Sequence, residues 1–261
     1  MAVGVPPAAG SARVAAAGVI PLTPATRVAA QRRFTPEYWA GLRFLAFGRA
    51  VPGVLFGVMG WLQLSRVIFS LQNLPAGASA GTVAERVVSP LLYTAFCTIP
   101  AVLYLTRPVP KARDGSLGAR AAAFTGTLMQ LLVGTFLGTG PVLAFPPVAG
   151  GVSVAISILA FSGALWSLAY LRRSLSIIPE ARRLATGGPY GIVRHPLYLF
   201  EITAALGALA IGPGVISTAS FVVFVGMQMI RARYEERLLT GAFPEYADYA
   251  RRTRRLIPLV W

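Results

Sequence analysis

A chain of 261 residues that is 55% hydrophobic, only 13% charged and has a mean hydropathy of +0.64 exceeds the apolar content of soluble domains and reads as a membrane protein. Its formal net charge of +15, from 24 Lys and Arg against 9 Asp and Glu, would point to nucleic acid on a soluble chain, but no such motif accompanies it and the charge sits between apolar runs. The single cysteine, Cys97, lies inside such a run, which excludes a disulfide framework and a Cys-rich metal site and reads as a small buried hydrophobe; no metal is expected.

Residues 1–43 are rich in Ala, Pro and Arg without a long apolar stretch or a signal-peptide pattern, and read as a flexible cytoplasmic leader. Apolar runs follow at about 50–65, 87–106, 121–143, 148–171, 196–212 and 213–230, against the ~20 residues a helix needs to cross the hydrocarbon core. The last two are short and joined by "GPG" at 212–214, so they form either a tight hairpin through the bilayer or a re-entrant pair. Spacings such as Gly53 to Gly57 and Gly134 to Gly138 allow close helix packing. "GTG" at 138–140 lies inside a span rather than after a strand and is no dinucleotide fingerprint. The predicted fold is all-α: a polytopic helical membrane protein of about six membrane helices with a C-terminal amphipathic helix at the cytoplasmic face.

Basic residues orient these runs, because Lys and Arg are retained on the cytoplasmic side. Segments 1–49, 107–120, 172–195 and 231–261 hold 22 of the 24. A six-pass chain with both termini cytoplasmic satisfies every loop, and a bacterial inner membrane is the expected location. Anionic headgroups would attract the same residues.

Composition changes after residue 171, where "RRSLSIIPEARRLATGGPYGIVRHP" brings Tyr190 and His195, the one histidine, to the membrane surface. Proline is tolerated in a helix's first turn, so Pro196 starts the fifth run and leaves Arg194 and His195 at its cytoplasmic N-terminus. Tyr198 and Glu201 follow three residues apart, near one face. An ionisable Glu201 about one turn inside an apolar helix marks a functional interior, or else ties two helices together through an arginine. The sixth run continues into "MIRARYEERLLTGAFPEYADYARRTRRLIPLVW", where Arg231 and Glu235 share a helix face. Acids beside arginines at the lipid boundary suit a zwitterion, with Glu235 taking an ammonium and an arginine a carboxylate. Tyr246 and Tyr249 are at helical spacing and followed by arginines, as in a helix lying on the membrane.

"TGGPYGIVRHPLYLFE", a hydrophobic hairpin, and then "RARYEERLL" with "FPEYADYARRTRRLIP" together resemble the C-terminal half of the isoprenylcysteine carboxyl methyltransferase family, related to the phospholipid methyltransferases, over about residues 172–258. The resemblance implies transfer of a methyl group from S-adenosylmethionine to a lipid-like acceptor within a helical membrane fold. Carried over by motif, Leu184, Ala185, Tyr190, His195, Pro196, Leu197 and Tyr198 would line the cofactor pocket. Of the Glu-Glu pair, Glu235 would bind the methionine end with Glu236 beside it, and Arg231 would face the substrate. Phe200 stands where many members have glycine, an exchange expected to reshape the pocket. The chain then divides into the leader 1–43, a four-helix membrane region 44–171 without a recognisable motif, and a methyltransferase-like region 172–261.

Methyl transfer is an in-line displacement at a sulfonium, so the protein chiefly aligns donor and acceptor and excludes water. A carboxylate acceptor needs no base; an amine or thiol does, and His195 or Glu201 is then the candidate. A transporter or small-molecule binding protein using Glu201 and the Arg/Glu cluster is the alternative from another class, and a structural subunit with those charges paired internally is a third. The expected partners are the membrane and a lipid-like acceptor.

Overall fold

The structure, a computed structural model, describes residues 36–135, 148–210 and 214–257. The chain divides into two compact units, Met1–Arg43 and Phe44–Trp261. Helix α1 (Pro36–Arg43) is the described part of the first; the leader expected over 1–43 otherwise lies outside the described residues.

In the second unit, α2 (Val51–Gln72) follows directly on a π-helical segment (Phe44–Ala50), and Pro52, which lacks a backbone N–H, stands where the one gives way to the other. It ends at Asn73, whose side chain and backbone N–H both donate to the Phe69 carbonyl. A short α3 (Ala80–Val83), capped by Ser79, runs through a second π-helical segment into α4 (Ser89–Thr106). Helices α5 (Leu117–Thr135), α6 (Val148–Leu171), α7 (Pro196–Leu209), α8 (Val215–Ala242) and α9 (Tyr246–Arg252) complete an all-α architecture. The described strands, β1 (Ala112–Arg113) and β2 (Glu180–Ala181), are two residues each and pair antiparallel, Arg113 opposite Glu180.

Four helical stretches are long and apolar enough to cross a membrane: Ala40–Gln72, Ala80–Thr106, Gly150–Ser174 and Val215–Ala242. They contain the first and second expected runs and all but the first two residues of the fourth and sixth. The third begins in α5, but its end at 136–143 lies outside the described residues, as do Gly138, "GTG" and most of the "GPG" turn. The fifth is the 14-residue α7, shorter than a crossing helix requires. Its partner α8 has 28 residues, so only one arm of the expected short hairpin is short.

Helix α2 packs along α4, α5 along α8, and α6 along α7. A Cβ on Gly53 would press on Leu105, and one on Gly60 would meet Thr98, whereas Gly57 faces open space. The close approach of α2 to α4 therefore uses a seven-residue spacing in place of the expected Gly53 and Gly57 pair. Phe200 occupies the notch left by Gly163 on α6 and packs beside Phe96, Cys97 and Leu168. The ring that was expected to reshape the pocket thus fills a helix contact, with glycine as the compensating residue.

The loops at one end of these helices are cross-tied by charge. The Glu180 side chain, 2% exposed, receives Arg182 Nη2 at 2.5 Å, Ser176 Oγ at 2.8 Å and Arg107 Nη1 at 3.3 Å, and pairs with Arg113. Arg107 also donates to the Leu175 carbonyl and Arg182 to that of Pro108. This clamp joins the segment after α4 to the segment after α6. Burial raises the Glu180 carboxyl, but Arg182, Arg107 and the Ser176 hydroxyl outweigh it and hold it below the usual carboxylate range.

Candidate functional site

The site is assembled around the turn between β2 and α7. Gly188 has φ +58°, and a Cβ there would collide with the Tyr170 ring, so glycine alone fits. The turn tightens through Tyr190 N–H to Gly187 O and Val193 N–H to Pro189 O. Val193 then bridges Arg254 in parallel, and the N–H groups of Arg194 and His195 donate to the carbonyls of Arg254 and Arg255 at 2.7 and 3.0 Å. The C-terminal segment thereby fixes the backbone that presents His195, and Pro196 starts α7 as the sequence indicates.

The His195 ring is buried and stacks on Tyr198, centroids 5.4 Å apart and nearly parallel. Its Nδ1 lies 3.4 Å from Glu235 Oε2 and its Nε2 lies 3.1 Å from Glu236 Oε1. Burial alone would lower its pKa, but the hydrogen bonds from both glutamates win and raise it above 6.5. With both nitrogens facing carboxylates, the ring is surrounded by partners that favour its charged form and occupy both of its hydrogen-bonding positions.

Glu236 is enclosed by cations: Arg194 Nε at 2.8 Å and Arg255 Nη2 at 2.6 Å complete its shell. Arg194 Nη1 also donates to the carbonyls of Ala250 and Thr253, and Tyr249 Oη donates to Tyr190 O at 2.6 Å. Tyr246 and Tyr249 are both buried and form an edge contact. The tyrosines expected on a membrane-lying face are therefore turned into the protein, where they hold the Tyr190 loop.

One turn into α7, Glu201 Oε2 accepts from Gln228 Nε2 at 2.6 Å, and Gln228 Oε1 accepts from Arg231 Nη1 at 2.7 Å. Arg231 Nη2 reaches the Ile177 carbonyl at 3.3 Å, and its guanidinium lies 4.9 Å from the Tyr198 centroid. Glu201 thus couples α7 to α8 through a glutamine before the arginine. Gln228 is fully buried. A lone amide in an apolar run three residues before Arg231 is the signal that could have found it.

A single cavity runs past these groups. It is lined by Leu184, Ala185, Tyr190, Leu238, Leu239, Tyr246 and Tyr249 of the loops, α8 and α9, by His195, Leu197, Tyr198, Glu201, Arg231 and Glu235 around the start of α7, and by the apolar Phe96, Cys97, Pro100, Met59, Phe56 and Leu55 of α2 and α4. Eight of the sequence-selected positions meet here with Glu201. Pro196 and Glu236 do not line it: Pro196 is spent on starting the helix and Glu236 on its cations. The helices that give this apolar lining, α2 and α4, carry no motif, and sequence reasoning missed their contribution.

Residues 146–246 match the phospholipid methyltransferase family, within the isoprenylcysteine carboxyl methyltransferase-like group of membrane methyltransferases. The cobalt-zinc-cadmium resistance protein CzcN of Cupriavidus metallidurans is 38% identical over 101 residues, 38% of this chain and 44% of that protein. The nickel-cobalt-cadmium resistance protein NccN of Alcaligenes xylosoxydans xylosoxydans is 35% identical over 101 residues, 38% of this chain and 45% of that protein. The matched stretch spans less than half the length of either relative. The family match over residues 146–246 contains α6 to α8 and the Tyr190–His195 turn, and excludes α2, α4 and Arg255.

Proposed function

We propose that this protein is an integral membrane methyltransferase that moves a methyl group from S-adenosylmethionine to a lipid-like, membrane-embedded acceptor at the cytoplasmic face. The observation that carries the reading is the cavity: one space lined both by charged and tyrosine side chains of the loops and by apolar side chains of α2 and α4. A soluble donor and an insoluble acceptor need such a mixed lining.

Part of that lining fits the donor. Glu235 is partly buried and lines the cavity beside His195 and Tyr198, so it offers a carboxylate to an ammonium. Arg183 and Arg194 line the same cavity and supply positive charge for a carboxylate, while Leu184, Ala185, Leu238 and Leu239 give apolar walls for a purine. When bound, S-adenosylmethionine supplies an electrophilic methyl carbon, whose bond to sulfur breaks with its electron pair returning to sulfur as the acceptor's bond to carbon forms.

The remaining work belongs to the chain. His195, clamped between Glu235 and Glu236, fixes the Glu235 carboxylate and stacks on Tyr198; it serves orientation rather than proton removal. Arg231 faces the acceptor, its fork held by Gln228 and Ile177. Pre-alignment of this kind is the main contribution a displacement reaction asks of a protein. The region 172–261 is the catalytic one, and α2 and α4 complete the acceptor site.

Calorimetry of the full chain in detergent tests this directly: S-adenosylmethionine and S-adenosylhomocysteine should both bind, and an absence of heat for either would overturn the reading. Glu235→Gln should weaken that binding by about 1.5–3 kcal/mol, the loss of one charge-assisted hydrogen bond, or roughly ten- to a hundredfold in Kd. Unchanged affinity in a folded variant would place the donor's ammonium elsewhere.

Both termini and the loops that hold β1 and the Tyr190 turn are assigned to the cytoplasm from the distribution of arginine. In a Cys97→Ser background, Ala76→Cys should react with an impermeant thiol reagent added to intact cells, whereas Gly115→Cys should react only after permeabilisation. The opposite pattern would invert the topology.

A further inference from the structure

Tyr104 sits in the last turn of α4, outside the family-matched stretch, and is 1% exposed. Its ring is fixed by neighbours: Phe56 stacks on it at 5.7 Å between centroids, and the Arg107 guanidinium lies 4.3 Å from its centre. Arg107 is in turn anchored by Glu180 and by the Leu175 carbonyl. The phenol is therefore rigidly placed, yet its buried hydroxyl finds no hydrogen-bond acceptor among the described residues. The Ile177 backbone beside it offers at most an N–H to the phenol oxygen, so the hydroxyl's own proton stays available.

Arg231 has the same property. Its two terminal nitrogens are taken by Gln228 and Ile177, but its buried Nε has no partner. Both residues line the same cavity, and Arg231 is bonded to Ile177, whose backbone lies beside the Tyr104 phenol. Two buried donors left unpaired in one cavity are costly unless a ligand completes them. Arg231 repels an ammonium, and the Tyr104 hydroxyl has an unplaced proton, so an anionic oxygen is the ligand that satisfies both.

The geometry points to an oxyanion site in which Arg231 Nε–H and the Tyr104 hydroxyl together receive a carboxylate or phosphate oxygen of the acceptor, making Tyr104 a binding and specificity residue for anionic amphiphiles. This rests on the methyltransferase reading for its identification of the occupant as acceptor. It also assigns a chemical role to the region before residue 146: α4 brings the second donor, and Phe56 on α2 orients it. The apolar lining of Met59, Phe96 and Pro100 takes the chain attached to that anion.

The test uses the full chain in nanodiscs with dodecanoate, dodecyl phosphate and dodecanol as probes, read by intrinsic fluorescence, with and without S-adenosylmethionine. At least one anion should bind about tenfold or more tightly than the alcohol, in keeping with a hydrogen bond to a charged group; the tighter of the two identifies the group. Tyr104→Phe, which removes a single oxygen, should reduce that preference several-fold and leave S-adenosylmethionine affinity unchanged. Equal binding of anion and alcohol by the wild-type protein would overturn the proposal without any variant, and so would a folded Tyr104→Phe protein with the full anion preference. Anion preference without donor binding would overturn the methyltransferase reading and leave the oxyanion site standing. Methylation of a cationic or neutral lipid that is indifferent to Tyr104→Phe would do the reverse.

Discussion

Arg231→Ala is expected to reduce methyl transfer by on the order of 10²-fold or more in kcat/KM while S-adenosylmethionine affinity stays within a few-fold. The two effects separate under the proposed roles, with Arg231 holding the acceptor while Glu235, Tyr190 and the tyrosines of α9, which line the same cavity, keep the donor. In a displacement between an anion and a sulfonium, charge is dispersed at the transition state, so the arginine contributes by holding the acceptor in line; a misplacement of about 1 Å costs roughly 10²-fold. The truncation also strands the Gln228 amide oxygen and the Ile177 carbonyl that Arg231 now serves. Each unsatisfied buried group costs about 1–3 kcal/mol, so the unfolding midpoint should fall and must be measured beside turnover. Lysine at 231 should rescue little, because a point charge cannot reproduce a fork that reaches Gln228, Ile177 and a ligand together. A folded Arg231→Ala protein that turns over normally would remove Arg231 from the site, and one that loses donor binding would reassign it to the donor.

Glu180→Ala should have the largest effect on stability, a loss of about 3–5 kcal/mol from removing the anion of a buried charge cluster. Arg107 and Arg182 are only 4% and 3% exposed, so without Glu180 two guanidinium groups remain buried side by side. The exposed Arg113 adds little, since water already screens its pairing. Arg107 would also lose the anchor that sets it against the Tyr104 ring, so acceptor binding should weaken along with stability. The pH dependence has a definite sign. The folded carboxyl titrates below its unfolded value, so its contribution is complete above the ordinary carboxylate range and is lost as the pH falls through the folded value. Thermal unfolding of the wild-type protein between neutral and acid pH, compared with Glu180→Gln, checks this: the variant's midpoint should start lower and vary less with pH. Equal midpoints for the two proteins at neutral pH would show that the clamp contributes nothing.

The class of protein and the chemical end of the chain were legible in the sequence because both depend on local composition. A long apolar run cannot be satisfied in water, and in lipid it has no option but a helix, so four runs became membrane-length helices. The Pro196 start followed from a proline's steric preference, and the shared faces of Tyr198 with Glu201 and of Arg231 with Glu235 from helical spacing, whereas the gathering of Tyr190, His195, Tyr198 and Glu235 in one pocket was what the family resemblance implied. What the sequence left undecided is where polar groups that stand far apart in the chain find partners. Burial forces each to be satisfied by whatever the packing brings near, and packing is not encoded in spacing. Only the tertiary structure put Gln228 between Glu201 and Arg231, surrounded Glu236 with Arg194, His195 and Arg255 so that it faces away from the cavity, and turned Tyr246 and Tyr249 inward. It alone packed Phe56 and Arg107 on Tyr104, in a region without a motif, and placed Tyr104 in the cavity that Ile177 and Arg231 line. Apolar side chains on lipid-facing and cavity-facing sides of a membrane helix are chemically alike, so the wall that receives the acceptor is distinguished from the surface that meets the bilayer only once α2 and α4 are packed.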